Sequence, residues 1–174
     1  MELRRLARYY YLKILRLKGE PHELALGMAL GVFSGMMPIL PFQTAFAVAL
    51  AFLFRASKIT AALGTWVSNP FNWYFLYYYS YKLGAHLLGL KEQKAVFASI
   101  MQAIRAGEEG MVIAGKMLGA GSGFVGSFLL GGFVMGIVAG PVSYYIFLPM
   151  FRSARTWRKR RKERKEAAAQ RISE

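Results

Sequence analysis

Leu24–Phe54, LALGMALGVFSGMMPILPFQTAFAVALAFLF, decides how the rest of the chain is read. It runs for 31 residues without a charge, and Pro38 and Pro41 sit near its middle. Proline removes a backbone donor and clashes with the preceding turn, so one straight helix through PILP is not expected. The stretch reads instead as two apolar half-helices of roughly 14 residues joined by a tight turn. At 1.5 Å per residue each half is about 21 Å long. A bilayer's hydrocarbon core is about 30 Å thick, so neither half spans it. The expectation is a re-entrant, broken hairpin, with protein packed around its turn because bare backbone is not tolerated in lipid.

Outward from the hairpin, the segments alternate between uncharged and basic. Residues 2–18 have Leu3, Leu6, Tyr10, Ile14 and Leu17 on one helical face and Arg4, Arg5, Arg8 and Arg16 opposite. This is a basic amphipathic helix, lying in the membrane interface or packed on the protein's own cytoplasmic face. Gly19-Glu20-Pro21 breaks it. After the hairpin, Arg55 and Lys58 mark a cytoplasmic edge, and residues 59–90 form an aromatic helix broken at Asn69-Pro70. The stretch FNWYFLYYYSY holds eight aromatics in eleven residues. Trp66, Trp73, Tyr74, Tyr77, Tyr78, Tyr79 and Tyr81 suit an interfacial belt, or the lining of a cavity for an acyl or isoprenoid chain. Lys82 and His86 share a helix face, and His86 reads as an interfacial polar group. Residues 91–116 carry four basic and three acidic side chains, with a short amphipathic helix expected over 93–106. Residues 117–151 are uncharged and contain the clearest spanning segment, about 122–148, with Pro141 expected to kink it and Pro149 to end it. Residues 152–174 form a tail with nine basic residues and one acid between Arg152 and Lys165. Fraying is expected beyond Glu166.

The 174 residues amount to one domain with end segments, 1–20 and 152–174, flanking a membrane domain over 21–151. Net charge is +14, hydrophobic residues make up 55% and mean hydropathy is +0.30. A chain this basic would suit nucleic acid if its charge were spread over a folded surface. Here the charge crowds at the ends and leaves long uncharged runs between, the pattern of a membrane protein with cytoplasmic basic flanks. The expected class is an all-α membrane protein with the broken hairpin, about two full transmembrane helices and amphipathic cytoplasmic end helices. Both termini are expected in the cytoplasm, with 91–116 external. The bilayer and its anionic headgroups are the expected partners, with no nucleic acid; homo-oligomerisation is left open, because glycine faces serve within one chain or between chains. There is no Cys, hence no disulfide or thiolate zinc site, and no cofactor or metal is expected. The N-terminus lacks the pattern of a cleaved signal peptide.

Glycines recur every four residues at Gly27, Gly31 and Gly35, at Gly115, Gly119 and Gly123, and at Gly132, Gly136 and Gly140. Such stripes let helix backbones approach closely, and packing is their expected role. At the hairpin turn, Gln43 and Thr44 begin the second half-helix. A half-helix N-terminus at membrane depth suits an anion. The same side chains could equally satisfy the turn's own carbonyls.

The run ALGMALGVFSGMMPILPFQTAFAVALAFLFRAS, then LGTWVSNPF and YYSYKLG, resembles the DUF2062 family of bacterial membrane proteins. The pattern is a Gly-rich apolar helix, a Pro-containing turn, Gln or His, an apolar helix ending in Arg, a TW-x-x-NP element and an aromatic stretch ending in LG. It falls on Gly27, Gly31, Gly35, Pro38, Gln43, Arg55, Thr65, Trp66, Asn69, Pro70, Leu83 and Gly84. The family usually has Gly where Pro41 stands and Asn near Ser57. Members are sometimes fused to glycosyltransferase domains, so the resemblance implies an inner-membrane protein working near glycosyltransferase or lipid-linked-sugar machinery.

Two functions of different class remain. The expected one is a membrane scaffold or organiser whose basic ends hold a partner at the cytoplasmic face. The alternative is a carrier or flippase-like protein for an anionic or polyprenyl-phosphate lipid. That reading uses Gln43, Thr44, Asn69 and Asn72 at the helix breaks, with Arg55 and Lys58 at the mouth. No catalytic residues are expected: there is no Asp, the only histidines, His22 and His86, lie apart, and no phosphate-binding loop precedes a lysine.

Overall fold

The computed structural model describes residues 19–39, 42–68 and 72–173. The amphipathic helix expected over 2–18, together with Pro41, Asn69 and Pro70, lies outside them. Helix α1 spans Pro21–Met36, α2 Gln43–Leu53 and α3 Lys58–Gly64, continued by a 3-10 turn at Thr65–Val67. Then come α4 (Trp73–Leu87), α5 (Lys94–Arg105), α6 (Gly110–Gly119) and α7 (Ser122–Ser173). No strand occurs among the described residues.

Local chemistry sets these boundaries. Pro21 occupies the first turn of α1, where its missing N–H would have had no helical partner. Met37 ends α1 in an extended conformation, φ −81° and ψ 134°, which the following Pro38 favours sterically. Helix α2 ends in a Schellman motif: Ala56 N donates to Ala51 O at 2.7 Å and Arg55 N to Phe52 O at 3.3 Å. Arg55 therefore sits at φ 52°, where α4 and α5 end on Gly89 and Gly107. Gly121, at φ 94°, separates α6 from α7.

Packing is organised by α7. Its N-terminal part crosses α4 so closely that a Cβ on Gly84 would fall 1.7 Å from Ser127 O, and one on Gly131 1.7 Å from Ser80 O. Ser80 Oγ adds a hydrogen bond to Phe128 O at 3.2 Å. Around this crossing Tyr77, Tyr81, Phe97, Ile100, Met101, Phe124 and Phe128 form the main core. Tyr77 and Tyr81 are thus core residues rather than parts of an interfacial belt, whereas Trp66 and Tyr79 are exposed.

Further along, α7 lies antiparallel to α1. Gly132 meets Met36 and Pro38, Gly136 meets Phe33, and Gly140 meets Ala29. Phe151 packs with Leu24 and Ala25. The other face of α1 receives α3: Gly27 abuts Ser57 and Thr60, and Gly31 abuts Ala61 and Gly64. Gly35 approaches Val67 and Thr65.

Several expectations are corrected. Pro141 and Pro149 lie inside α7, which neither stops nor changes helix type at either. No boundary separates 117–151 from 152–174: the break falls at Gly121, and helix continues to Ser173 instead of fraying beyond Glu166. Gly115 and Gly119 meet no neighbour within 4 Å, so that glycine repeat is not a close-packing face. Of the two spanning helices expected, the described residues contain one long and apolar enough to cross a membrane, within Ser122–Arg160. The aromatic helix is 15 residues, about 22 Å, and falls short.

A side chain at the α4–α7 crossing has nowhere to go. Gly84→Val is expected to destabilise the fold by about 3 kcal/mol or more, read from detergent-phase thermal unfolding. Gly115→Ala, in open space within α6, is expected to stabilise by roughly 0.5–1 kcal/mol.

Candidate functional site

The polar residues singled out at the helix breaks divide into two groups. Gln43 and Thr44 open α2, and the chain around the second break folds onto them. Thr44 Oγ1 lies 3.3 Å from Thr65 Oγ1. Gln43 Oε1 accepts long hydrogen bonds, 3.4 Å each, from Ser68 Oγ and Tyr77 Oη. Asn72 Nδ2 donates to Val67 O at 2.8 Å, holding the far side of the break. Thr65 Oγ1 also donates to Ala62 O at 2.7 Å and Ser68 Oγ to Thr65 O at 3.1 Å. The two breaks therefore meet in one polar junction, and its side chains bind one another and nearby carbonyls. Asn69, the remaining member of the expected group, lies outside the described residues.

Arg55 and Lys58 do not join this junction. They sit at the opposite end of α2, eleven residues or about 17 Å away along the helix. Ser57 N donates to Glu23 O at 3.0 Å, which fixes this end beside the start of α1. Both cations are exposed, and Lys58 Nζ rests 4.7 Å over the Phe52 ring. Gln43, Thr44 and Asn72 thus gather at one end of α2 and Arg55 and Lys58 at the other.

Sequence reasoning missed a second polar grouping. Arg155 forks onto the Glu20 carboxylate, with Nη2 to Oε1 at 2.8 Å and Nη1 closing on Oε2. His22 Nδ1 and Tyr144 Oη are 2.7 Å apart, with their rings edge to face. These contacts join residues more than 120 positions apart, across α1 and α7. The one sequence signal was that Glu20, His22 and Glu23 precede the uncharged hairpin, level with the first charges after the uncharged segment that ends at Phe151. Lys82 and His86 border a separate shallow hollow with Tyr79, Leu83 and Met135.

The junction has a measurable signature. Gln43→Leu removes the acceptor shared by Ser68 and the buried Tyr77, and is expected to cost about 1–3 kcal/mol. Tyr77→Phe in the Gln43→Leu background is expected to restore part of that loss, giving a non-additive cycle in thermal unfolding. Arg55→Gly is expected to stabilise by about 1 kcal/mol, because φ 52° is costly for a residue with a Cβ.

Comparison with known proteins leads to one family. Residues 4–162 match the family described as "Uncharacterized protein conserved in bacteria (DUF2062)". No curated protein and no solved structure matches.

Proposed function

The chain belongs to the DUF2062 family of bacterial proteins, and from that premise we propose that it is a multi-pass inner-membrane scaffold. It holds a rigid basic helix at the cytoplasmic face as a mount for a partner. The observation that carries this reading is α7 itself. It passes from uncharged to strongly basic at Arg152 without losing its helical path, so the basic segment continues the same helix.

Depth follows from counting along α7. A core of about 30 Å takes 20 helical residues. With Arg152 at the cytoplasmic boundary, Gly132 falls at the other, and that is where Pro38 packs. The α1–α2 hairpin then reaches nearly through the bilayer, and its polar junction, at the Pro38 end, lies near the far boundary. Phe133, Ile137, Val138, Val142 and Ile146 on α7, with Phe52, Leu53 and Ile59 on the hairpin side, are exposed and suit lipid contact. The α5–α6 segment lies beyond Gly132, on the external side.

The carrier reading has one point in its favour, the meeting of the two helix breaks through Thr44–Thr65 and Gln43–Ser68. The scaffold is preferred because those polar groups bind each other, while the cations assigned to the same headgroup lie a helix length away. The scaffold's partner is a protein with an acidic cytoplasmic surface, of which a glycosyltransferase acting on lipid-linked sugars is the kind that the family suggests.

The chain has no cysteine, so single-cysteine labelling is clean. Gln102→Cys is expected to react with an impermeant maleimide from outside intact cells, and Ser153→Cys only after the cytoplasmic side is opened. Reaction of both from one side would overturn the arrangement. Replacing Arg158, Lys159 and Arg160 by Gln is expected to abolish the scaffold's cellular effect, and Gln43→Ala to preserve it.

A further inference from the structure

Helices α1 and α7 border a trough of about 580 Å³. Leu26, Leu30 and Phe33 form one wall; Gly136 and Gly140 leave the floor bare of side chains. From His22 to Phe33 it runs eleven residues, about 17 Å. Its size is that of a small-molecule pocket, yet it is almost wholly apolar and open along its side.

At one end the chemistry changes within a single turn. His22 lines both the trough and an adjoining hollow of about 400 Å³, whose other walls include Glu20, Arg152, Arg155 and Thr156. Arg155 is held by Glu20, so one of the two guanidinium charges there is compensated. No carboxylate among the described residues lies within 4.0 Å of Arg152, and its side chain is exposed. The hollow therefore retains positive charge, at the first cation after 35 uncharged residues.

We propose that the α1–α7 trough holds an acyl chain of an anionic glycerophospholipid, with its phosphate in the hollow against Arg152. The guanidinium presents paired N–H donors that match phosphate oxygens. His22, joined to Tyr144 at 2.7 Å, marks the point where headgroup gives way to chain. Charge sets the choice of occupant: an apolar helix of a second copy would fill the trough but leave Arg152 uncompensated. The site uses none of the helix-break junction. It requires membrane embedding, but not the scaffold role proposed above.

The test is native mass spectrometry of the detergent-solubilised full chain, titrated with phosphatidylglycerol or phosphatidylcholine. Wild type is expected to retain phosphatidylglycerol preferentially. Arg152→Gln is expected to weaken that lipid at least about tenfold, equivalent to about 1.4 kcal/mol, and to remove the preference. Ile137→Trp, at an exposed position on the trough wall, is expected to weaken both lipids. Lys159→Gln, on the same helix outside the hollow, is expected to change neither. Thermal unfolding of each variant checks that it is folded.

Equal retention of phosphatidylglycerol by wild type, Arg152→Gln and Ile137→Trp would overturn the site. So would a lipid-free dimer that Ile137→Trp dissociates, or displacement of wild-type phosphatidylglycerol by equimolar inorganic phosphate. Recovery of the protein from membranes without detergent would instead overturn the membrane placement.

Discussion

Two helix backbones touch where α4 crosses α7, and the rest of the structure depends on that contact. Gly84 and Ser127, Gly131 and Ser80 oppose each other in a reciprocal arrangement. A Cβ at either glycine would overlap a carbonyl oxygen, so the crossing distance is set by the absence of two side chains. At that separation Ser80 Oγ reaches the backbone of Phe128, and the aromatic rings of Tyr81 and Phe124 come to 4.7 Å. Close backbone contact and the Ser80 hydrogen bond supply the association at this crossing. The same device recurs where Gly27 and Gly31 receive the backbone of α3.

Helix α7 joins the parts. One stretch meets α4, the next meets α1 through Gly132, Gly136 and Gly140, and the last carries the basic residues out of the packed body. Pro141 and Pro149 do not interrupt it. Each removes one N–H and leaves a carbonyl without its helical donor, a defect that a long helix supported by neighbouring elements absorbs. That continuity makes the basic segment an extension of the same helix that packs on α4 and α1. It also brings Arg152 and Arg155 beside Glu20 and His22, where apolar trough and charged hollow adjoin.

The helical class, the break of the hairpin and the family are legible in the residues alone. An uncharged 31-residue run with Pro38 and Pro41 at its centre admits few other arrangements, and α1 and α2 lie on either side of those prolines. The short helix over 94–105 was legible from its spacing, and the stripes of Gly27 and Gly132 from theirs. These are local signals: a period, a breaker, a missing side chain. Gly115 and Gly119 have the same spacing and meet no neighbour, because spacing specifies a smooth face and not a partner. Which faces meet depends on the folded arrangement. The fold placed Tyr77 and Tyr81 in the core. It also joined His22 to Tyr144 across 122 positions. Each of these depends on how helices distant in sequence are arranged, and that is fixed by summed packing and hydrogen bonding that no single stretch of residues contains.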